Sequence, residues 1–429
     1  MASRSRLVAR RSKPELVAPS RPTPHDTKLL SDLDDFRNHY EYTPLVAFFR
    51  TSSTGNIPSA PPPEMTIRRA IAEALVYYYP LAGRLRELPC GKLVVDCTEE
   101  GVVFVAAEAD LRLADLGEPL LLPFPCSGEL LVCDNVGDSQ VAVVAKPLIF
   151  MQPVHERHRR PRSRRAAPAR APRVGEAPRH GARATQRRRR VPGVQAAHRR
   201  ASSNDVMLST PLDTMVTRDF LFGRREMAAL RRLLPAPLGR RCTDFQLLPA
   251  ALWRCRTAAL PYAPHRRVRA YLPLSTRGRR WRSQGLHIPE GYYGNALAYS
   301  IANASAGDLC GGTLGQTVEL VCEARLQVRE EYVRSTVDLM ASLRGRGMVF
   351  DGVYVVSDLT RLFAELDFGR GDWVISGMAQ PMLATFLVRC RNTDGEDAVA
   401  ASMLLPPPVM ERFAEEIAGL MTTSSSSRL

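Results

Sequence analysis

From Thr66 onward the apolar residues Ile67, Ala70, Ile71, Ala74, Leu75 and Tyr78 recur at three- and four-residue intervals, and Pro80 ends the run. That spacing predicts an amphipathic helix. Short runs rich in β-branched residues follow at Lys92–Asp96, Val102–Val105, Glu129–Val132 and Val141–Met151, and each reads as a strand. The last is apolar almost throughout, as expected of a strand buried on both faces. Farther on, Glu226–Leu234 and Thr243–Leu260 carry helical periodicity. Pro249 sits inside the second of these, where it costs about 3 kcal/mol or forces a kink. Val268–Leu274, Gly352–Val356, Leu383–Val388 and Ala398–Leu405 read as strands, and Leu314–Met340 reads as one long helix. Pro406–Pro408 start a final helix whose apolar face is Met410, Phe413, Ala414, Ile417 and Met421. Helices and strands mix on both sides of residue 152, which predicts an α/β protein.

Between Pro153 and Arg200 neither the strand nor the helix period survives. This stretch holds 16 arginines, no lysine, six prolines, and no Leu, Ile, Met, Phe, Tyr or Trp. It cannot bury enough apolar surface to offset its ordering entropy and is expected to be disordered. It also carries the charge. The chain as a whole is +15, and the stretch supplies 16 Arg against Glu156 and Glu176, or +14, leaving about +1 elsewhere. The basic pI therefore reports one segment rather than a basic fold, and nucleic acid is not the expected partner. The expected organisation is an N-terminal half over 1–152, the arginine-rich block over 153–200, a crossover linker over 201–225 and a C-terminal half over 226–429.

With 45% apolar residues in 429, the chain can build a large core. Its nine cysteines are odd in number and form no CxxC pair, so neither a zinc cage nor a disulfide framework is expected. The N-terminus lacks the apolar core of a secretory signal, and no apolar run reaches the roughly 18 residues of a membrane span. A soluble monomer without metal is the expectation. The chain ends Ser427-Arg428-Leu429, close to the Ser-Lys-Leu peroxisomal address, so the expected location is cytoplasmic or peroxisomal.

The pentapeptide Asp367-Phe368-Gly369-Arg370-Gly371 resembles the DFGWG motif of the plant BAHD acyl-CoA-dependent acyltransferases, with Arg370 where that family has Trp. A kinase reading fails, because no glycine-rich loop or HRD motif precedes it. Tyr79-Pro80-Leu81-Ala82-Gly83-Arg84 is similar to the family's YPLAGR element. Gly291-Tyr292-Tyr293-Gly294-Asn295 is similar to its YFGN-like element, and Cys242–Phe245 with Leu252–Arg256 to its central helix. Residues 13–19 and the GYYGNA run look most like the benzyl alcohol O-benzoyltransferase and taxane acyltransferase branch. The resemblance implies two chloramphenicol-acetyltransferase-like α/β halves with mixed sheets, joined by a crossover loop. It implies a channel between them that admits acyl-CoA and an alcohol acceptor from opposite sides. It further implies an anchoring role for Asp367, a channel-lining role for Tyr293 and Asn295, and contact of Ser275 and Arg277 with CoA phosphates. Acyl-CoA is then a co-substrate, and no other cofactor is implied.

In that family the histidine of a His-x-x-x-Asp motif is the general base, and its aspartate holds the imidazole. None of the eight histidines here (His25, His39, His155, His158, His180, His198, His265 and His287) has Asp four residues on. The motif's place falls within the arginine-rich block, where His155 is a weak candidate with Arg159 in the aspartate position. The exclusive use of Arg and the abrupt recovery at Ala201 read best as an out-of-frame translation of GC-rich sequence. A nucleic-acid-binding arm and a nuclear-localisation tract centred on Arg187–Arg190 are the alternatives. The expected function is transfer of an acyl group, with benzoyl as the candidate, from CoA to an alcohol, lost or much weakened in this chain. The competing class is a non-catalytic relative that binds polyanions.

Overall fold

The computed structural model describes residues 9–36, 42–51, 61–110, 112–117, 120–121, 124, 143–156, 205–343, 350–361 and 371–423. Its largest layer is a six-stranded mixed sheet in the C-terminal half. The strands lie in the order Val216–Phe222, Asp397–Leu405, Thr385–Arg391, Val353–Asp358, Arg267–Ser275, Leu297–Ser305. Val353–Asp358 pairs parallel with both of its neighbours, and the other three junctions are antiparallel. Side-chain alternation splits the sheet into two faces. Val268, Ala270, Leu272, Ala302 and Met403 point to one face and meet the helices Asp244–Ala259, Leu314–Gln327 and Pro407–Thr423.

The Asp244–Ala259 helix is enclosed by the other two helices and the sheet, so its buried residues run all round it, from Leu247 to Ala259. Small residues, Ala250, Ala251 and Ala259, let the neighbours approach. Pro249 is buried within this helix, which continues through it. At the helix start the Thr243 backbone N–H donates to Gln246 Oε1 at 2.8 Å, satisfying a donor that would otherwise be orphaned.

In the N-terminal half the chain segment 102–109 is flanked on both sides. Ala9–Arg11 and Glu15–Val17 pair with it antiparallel, and Phe150–Met151 and Val154–Glu156 pair with it parallel. The Pro63–Tyr77 helix seats Ile67, Ile71 and Leu75 on Val17, Val102 and Phe104. A third strand set, Thr27–Leu29, Leu93–Asp96 and Arg84–Glu87, carries the YPLAGR segment. Arg84 is buried there, and its Nη1 donates to the carbonyls of Ala82, Gly83 and Gly101 at 3.4, 2.8 and 3.0 Å. Gly83 cannot be another residue without a collision between its Cβ and the Asp96 carbonyl.

Several expectations change. Residues 143–149 are turn and loop rather than a continuous strand: Pro147 makes only an isolated antiparallel bridge to Arg84, and the ladder proper is Phe150–Met151. The arginine-rich block is not irregular from its first residue. The Pro153 carbonyl accepts from the Ala107 N–H at 3.0 Å, and Val154–Glu156 is a strand. Residues 157–200 and the run Glu129–Val132 lie outside the described residues. The segment 201–225 is no mere linker: Val206–Ser209 is a helical turn, and Val216–Phe222 is an edge strand of the large sheet. Leu314–Met340 is two helices, Leu314–Gln327 and Glu330–Ser342, parted at an extended Val328 and Arg329. The break lets Val328 and Val333 fill a separate cluster with Leu274, Trp281 and Ala298, and Glu330 and Glu331 suit the new N-terminus.

Ser300 faces the helical side of the sheet among these apolar groups, 1% exposed, and its Oγ has no hydrogen-bond partner. A buried hydroxyl without a partner costs about 1 kcal/mol or more relative to a methyl group. Ser300→Ala therefore raises the urea midpoint by an amount equivalent to about 1 kcal/mol. Equilibrium unfolding monitored by tryptophan fluorescence measures it, and an unchanged or lower midpoint refutes the assignment.

Candidate functional site

Four of the sequence-predicted site residues come together where the C-terminal sheet meets the N-terminal half. The strand Arg267–Ser275 ends there, and the buried Trp281 ties down its end by donating from Nε1 to the Ser275 carbonyl at 2.8 Å. Ser275 Oγ accepts from the Arg277 backbone N–H at 3.3 Å. The Arg277 guanidinium reaches across to the GYYGN turn, where Nη2 donates to the carbonyls of Gly294 at 2.5 Å and Tyr292 at 3.4 Å. Arg277 is exposed, and Nε and Nη1 point no donor at any described acceptor, so three N–H groups face solvent.

The same turn grips a carboxylate from the other half. Asp34 Oδ1 accepts the Asn295 backbone N–H at 2.9 Å. Its Oδ2 accepts from Ser31 Oγ at 2.6 Å and from the Tyr292 hydroxyl at 3.5 Å. Gly294 is required by this closeness, since a Cβ there would stand 2.6 Å from Asp34 Oδ2 and 2.5 Å from Tyr292 Oη. Burial pushes the Tyr292 phenol upward, and the Asp34 charge adds to the shift.

Tyr293 completes the contact. Its ring lies edge-to-face on Tyr78, with centroids 5.1 Å apart, and remains 47% exposed. Burial at its hydroxyl end, then proximity to Tyr79 and Cys97, pushes the phenol up to about 12, so it stays protonated at neutral pH. Tyr79 donates to Asp26 Oδ2 at 3.4 Å, and Lys28 Nζ holds the same carboxylate at 2.6 Å. Burial likewise pushes the Cys97 thiol up to about 12, which leaves no thiolate nucleophile there. At the same seam lies a small hollow lined by Leu33, Phe36, Leu297, Tyr299, Met340 and Phe350.

His155 stands elsewhere, on the Val154–Glu156 strand. Its Nε2 lies 3.8 Å from Glu108 Oε1, beyond hydrogen-bond reach, and its buried Nδ1 has no partner. No described bond joins it to Ser275, Arg277, Tyr293 or Asn295. Among the described residues, no group of three His, Cys, Asp or Glu side chains is placed to hold a metal ion. No described helix is long and apolar enough to cross a membrane.

A model of the transferase family matches residues 9–153 and 186–420. The chain is 41% identical to acyl transferase 1 of Oryza sativa subsp. japonica, over 99% of this chain and 98% of that protein. It is 39% identical to benzyl alcohol O-benzoyltransferase of Petunia hybrida, over 97% and 94%. The chain belongs to the BAHD acyltransferase family. Two solved structures share its fold. Vinorine synthase superposes with a TM-score of 0.57 at 15% identity, over 96% of this chain and 98% of that one. Apo F. graminearum TRI101 gives 0.60 at 13%, over 90% and 96%.

Within this acyltransferase, Asp367, Phe368, Gly369 and Arg370 lie outside the described residues. Gly371 opens the strand Gly371–Met378, which pairs antiparallel with Leu45–Thr51 of the N-terminal half. A Cβ at Gly371 would stand 2.7 Å from the Arg50 carbonyl, which explains the glycine by ladder packing. Sequence reasoning missed Asp34, the acceptor of the whole contact. Its signal was a Ser-x-x-Asp spacing, Ser31 to Asp34, ahead of no apolar helix.

On the sheet face away from the helices, Asp219 accepts from Ser402 beside a second hollow lined by Thr217, Gln380 and Phe386. Burial raises its pKa from the ordinary 3.8 to about 6. The folded state therefore favours the protonated form. This contribution is full below pH 4 and is lost as pH rises through 6. Asp219→Asn should raise Tm over the parent at pH 7.5, with the difference vanishing near pH 4. Thermal scans across that range check it, and a constant difference counts against the shift.

Proposed function

We propose that this chain keeps the binding framework of an acyl-CoA-dependent O-acyltransferase but transfers acyl groups far more slowly than a complete member of the family. The observation that carries this reading is a coincidence of two gaps. The family model matches up to residue 153 and again from 186, and in the unmatched stretch, as in the whole chain, no histidine has an aspartate four residues on.

In the transfer itself the acceptor hydroxyl oxygen attacks the thioester carbonyl. A base takes the hydroxyl proton, the carbonyl carbon–sulfur bond breaks, and the CoA thiolate leaves and is reprotonated. Ester and free CoA are the products. Without the base the attacking oxygen must lose its proton to water, and such a loss costs about 10²- to 10⁴-fold in rate. His155 does not replace it, because no acceptor or donor fixes its Nδ1 and Glu108 stays out of bonding reach.

For the co-substrate, Ser275 and Arg277 fit a phosphate of CoA. Arg277 keeps three N–H donors toward solvent, and the exposed Arg279, Arg280 and Arg282 follow it. A benzoyl donor and a simple alcohol acceptor are proposed from the 39% identity to benzyl alcohol O-benzoyltransferases. Acyl-CoA is then the co-substrate, with no separate cofactor.

With benzoyl-CoA and benzyl alcohol, free thiol release should fall at least about 10²-fold below the ordinary enzyme range of about 1 to 10³ s⁻¹. His155→Ala should leave the residual rate unchanged. Turnover within the ordinary range would overturn the proposal, and its loss in His155→Ala would name the base that was overlooked.

A further inference from the structure

We infer that Asp34 is a positioning residue for the CoA phosphate subsite, acting through the GYYGN turn on Arg277. The inference rests on the reading that this chain binds acyl-CoA. Asp34 lies 258 residues before Tyr292 and 261 before Asn295, yet its carboxylate accepts from both. It is therefore a tether between two parts of the chain that no local structure joins.

Three features make the tether directional. Asp34 is itself held, because Ser31 Oγ donates to Oδ2 at 2.6 Å and accepts the Asp34 backbone N–H at 3.2 Å. The turn is shaped to receive it, because only a glycine at 294 leaves room for the carboxylate and the Tyr292 hydroxyl. The far side of the same turn fixes Arg277, through the carbonyls of Tyr292 and Gly294. The backbone N–H of residue 295 thus faces Asp34, while the carbonyls of 292 and 294 face Arg277. A rigid turn passes a displacement from one side to the other.

Arginine side chains carry many rotamers, and an exposed one loses entropy when it binds a phosphate. With Nη2 already anchored on two carbonyls, Arg277 presents its remaining N–H groups with that entropy largely spent. Release of Asp34 frees the turn, the two carbonyls and then the guanidinium. The expected result is weaker CoA binding without loss of the fold, whose cores lie elsewhere.

The test is a double-mutant cycle read by calorimetric titration of the full chain with CoA. Asp34→Ala and Arg277→Ala should each weaken binding about tenfold, and the double variant should bind no worse than either alone. Gly294→Ala should reproduce Asp34→Ala, since its Cβ displaces the same carboxylate. If Asp34→Ala fails to fold, Asp34→Asn and Tyr292→Phe carry the same cycle with smaller losses. Penalties that simply add, or tight binding in Asp34→Ala, overturn the positioning role while leaving CoA binding intact. A parent chain that binds no CoA overturns both this role and the binding framework beneath it.

Discussion

One carboxylate closes the distance between the beginning and the middle of this chain. Asp34 accepts from Ser31, Tyr292 and the Asn295 backbone, and around that contact lie Tyr78 against Tyr293 and Arg277 against the Tyr292 and Gly294 carbonyls. A hydrogen bond to a charged acceptor is worth more than a neutral one, and its directionality fixes the turn as packing alone cannot. Two motifs that sequence places more than 200 residues apart, the YPLAGR and GYYGN segments, therefore share one seam. The adjacent hollow is bordered by Leu33 from one half and Leu297 from the other, so its shape follows from the same contact.

Much of this was readable from side-chain period. The first helix, the Arg267–Ser275 strand, the Asp397–Leu405 strand and the last helix form where apolar spacing places them; the helices bury one stripe each, while the Asp397–Leu405 strand divides its buried residues between two clusters. The errors come from information that period does not contain. Leu314–Ser342 keeps a helical rhythm across two helices, since the two bury their faces in different clusters and only Val328 and Arg329 leave the helix. Val216–Phe222 alternates weakly because it is an edge strand with one side wet, and so it resembled a linker. The family-like motifs identified the fold, and their residues did gather, but the reason for Tyr293 and Asn295 was hidden. For Asn295 it lies in Asp34, which takes its backbone N–H, and for Tyr293 in Tyr78, against which its ring packs; only tertiary structure reveals either partner.

The scaffold rests on features separate from the chemistry. Both halves retain dense cores, an enclosed Asp244–Ala259 helix and a buried Arg84 whose guanidinium serves three carbonyls. None of those features concerns proton transfer. A fold with this much buried apolar surface does not rest on any single polar side chain, whereas acyl transfer depends on one base. The described strand Val154–Glu156 marks how far the familiar architecture continues before the unmatched stretch.

The pairing of Leu45–Thr51 with Gly371–Met378 has a consequence for synthesis on the ribosome. About 320 residues separate the two strands. At a translation rate of about 5–20 residues per second, the earlier one waits on the order of tens of seconds for its partner. During that interval its backbone donors and acceptors stand open as a template for other extended chains. Phe48 and Phe49, at the middle of the waiting strand, make that template apolar. Chaperones that cover these seven residues during the wait should raise yield, and slower elongation lengthens the interval in which they are exposed.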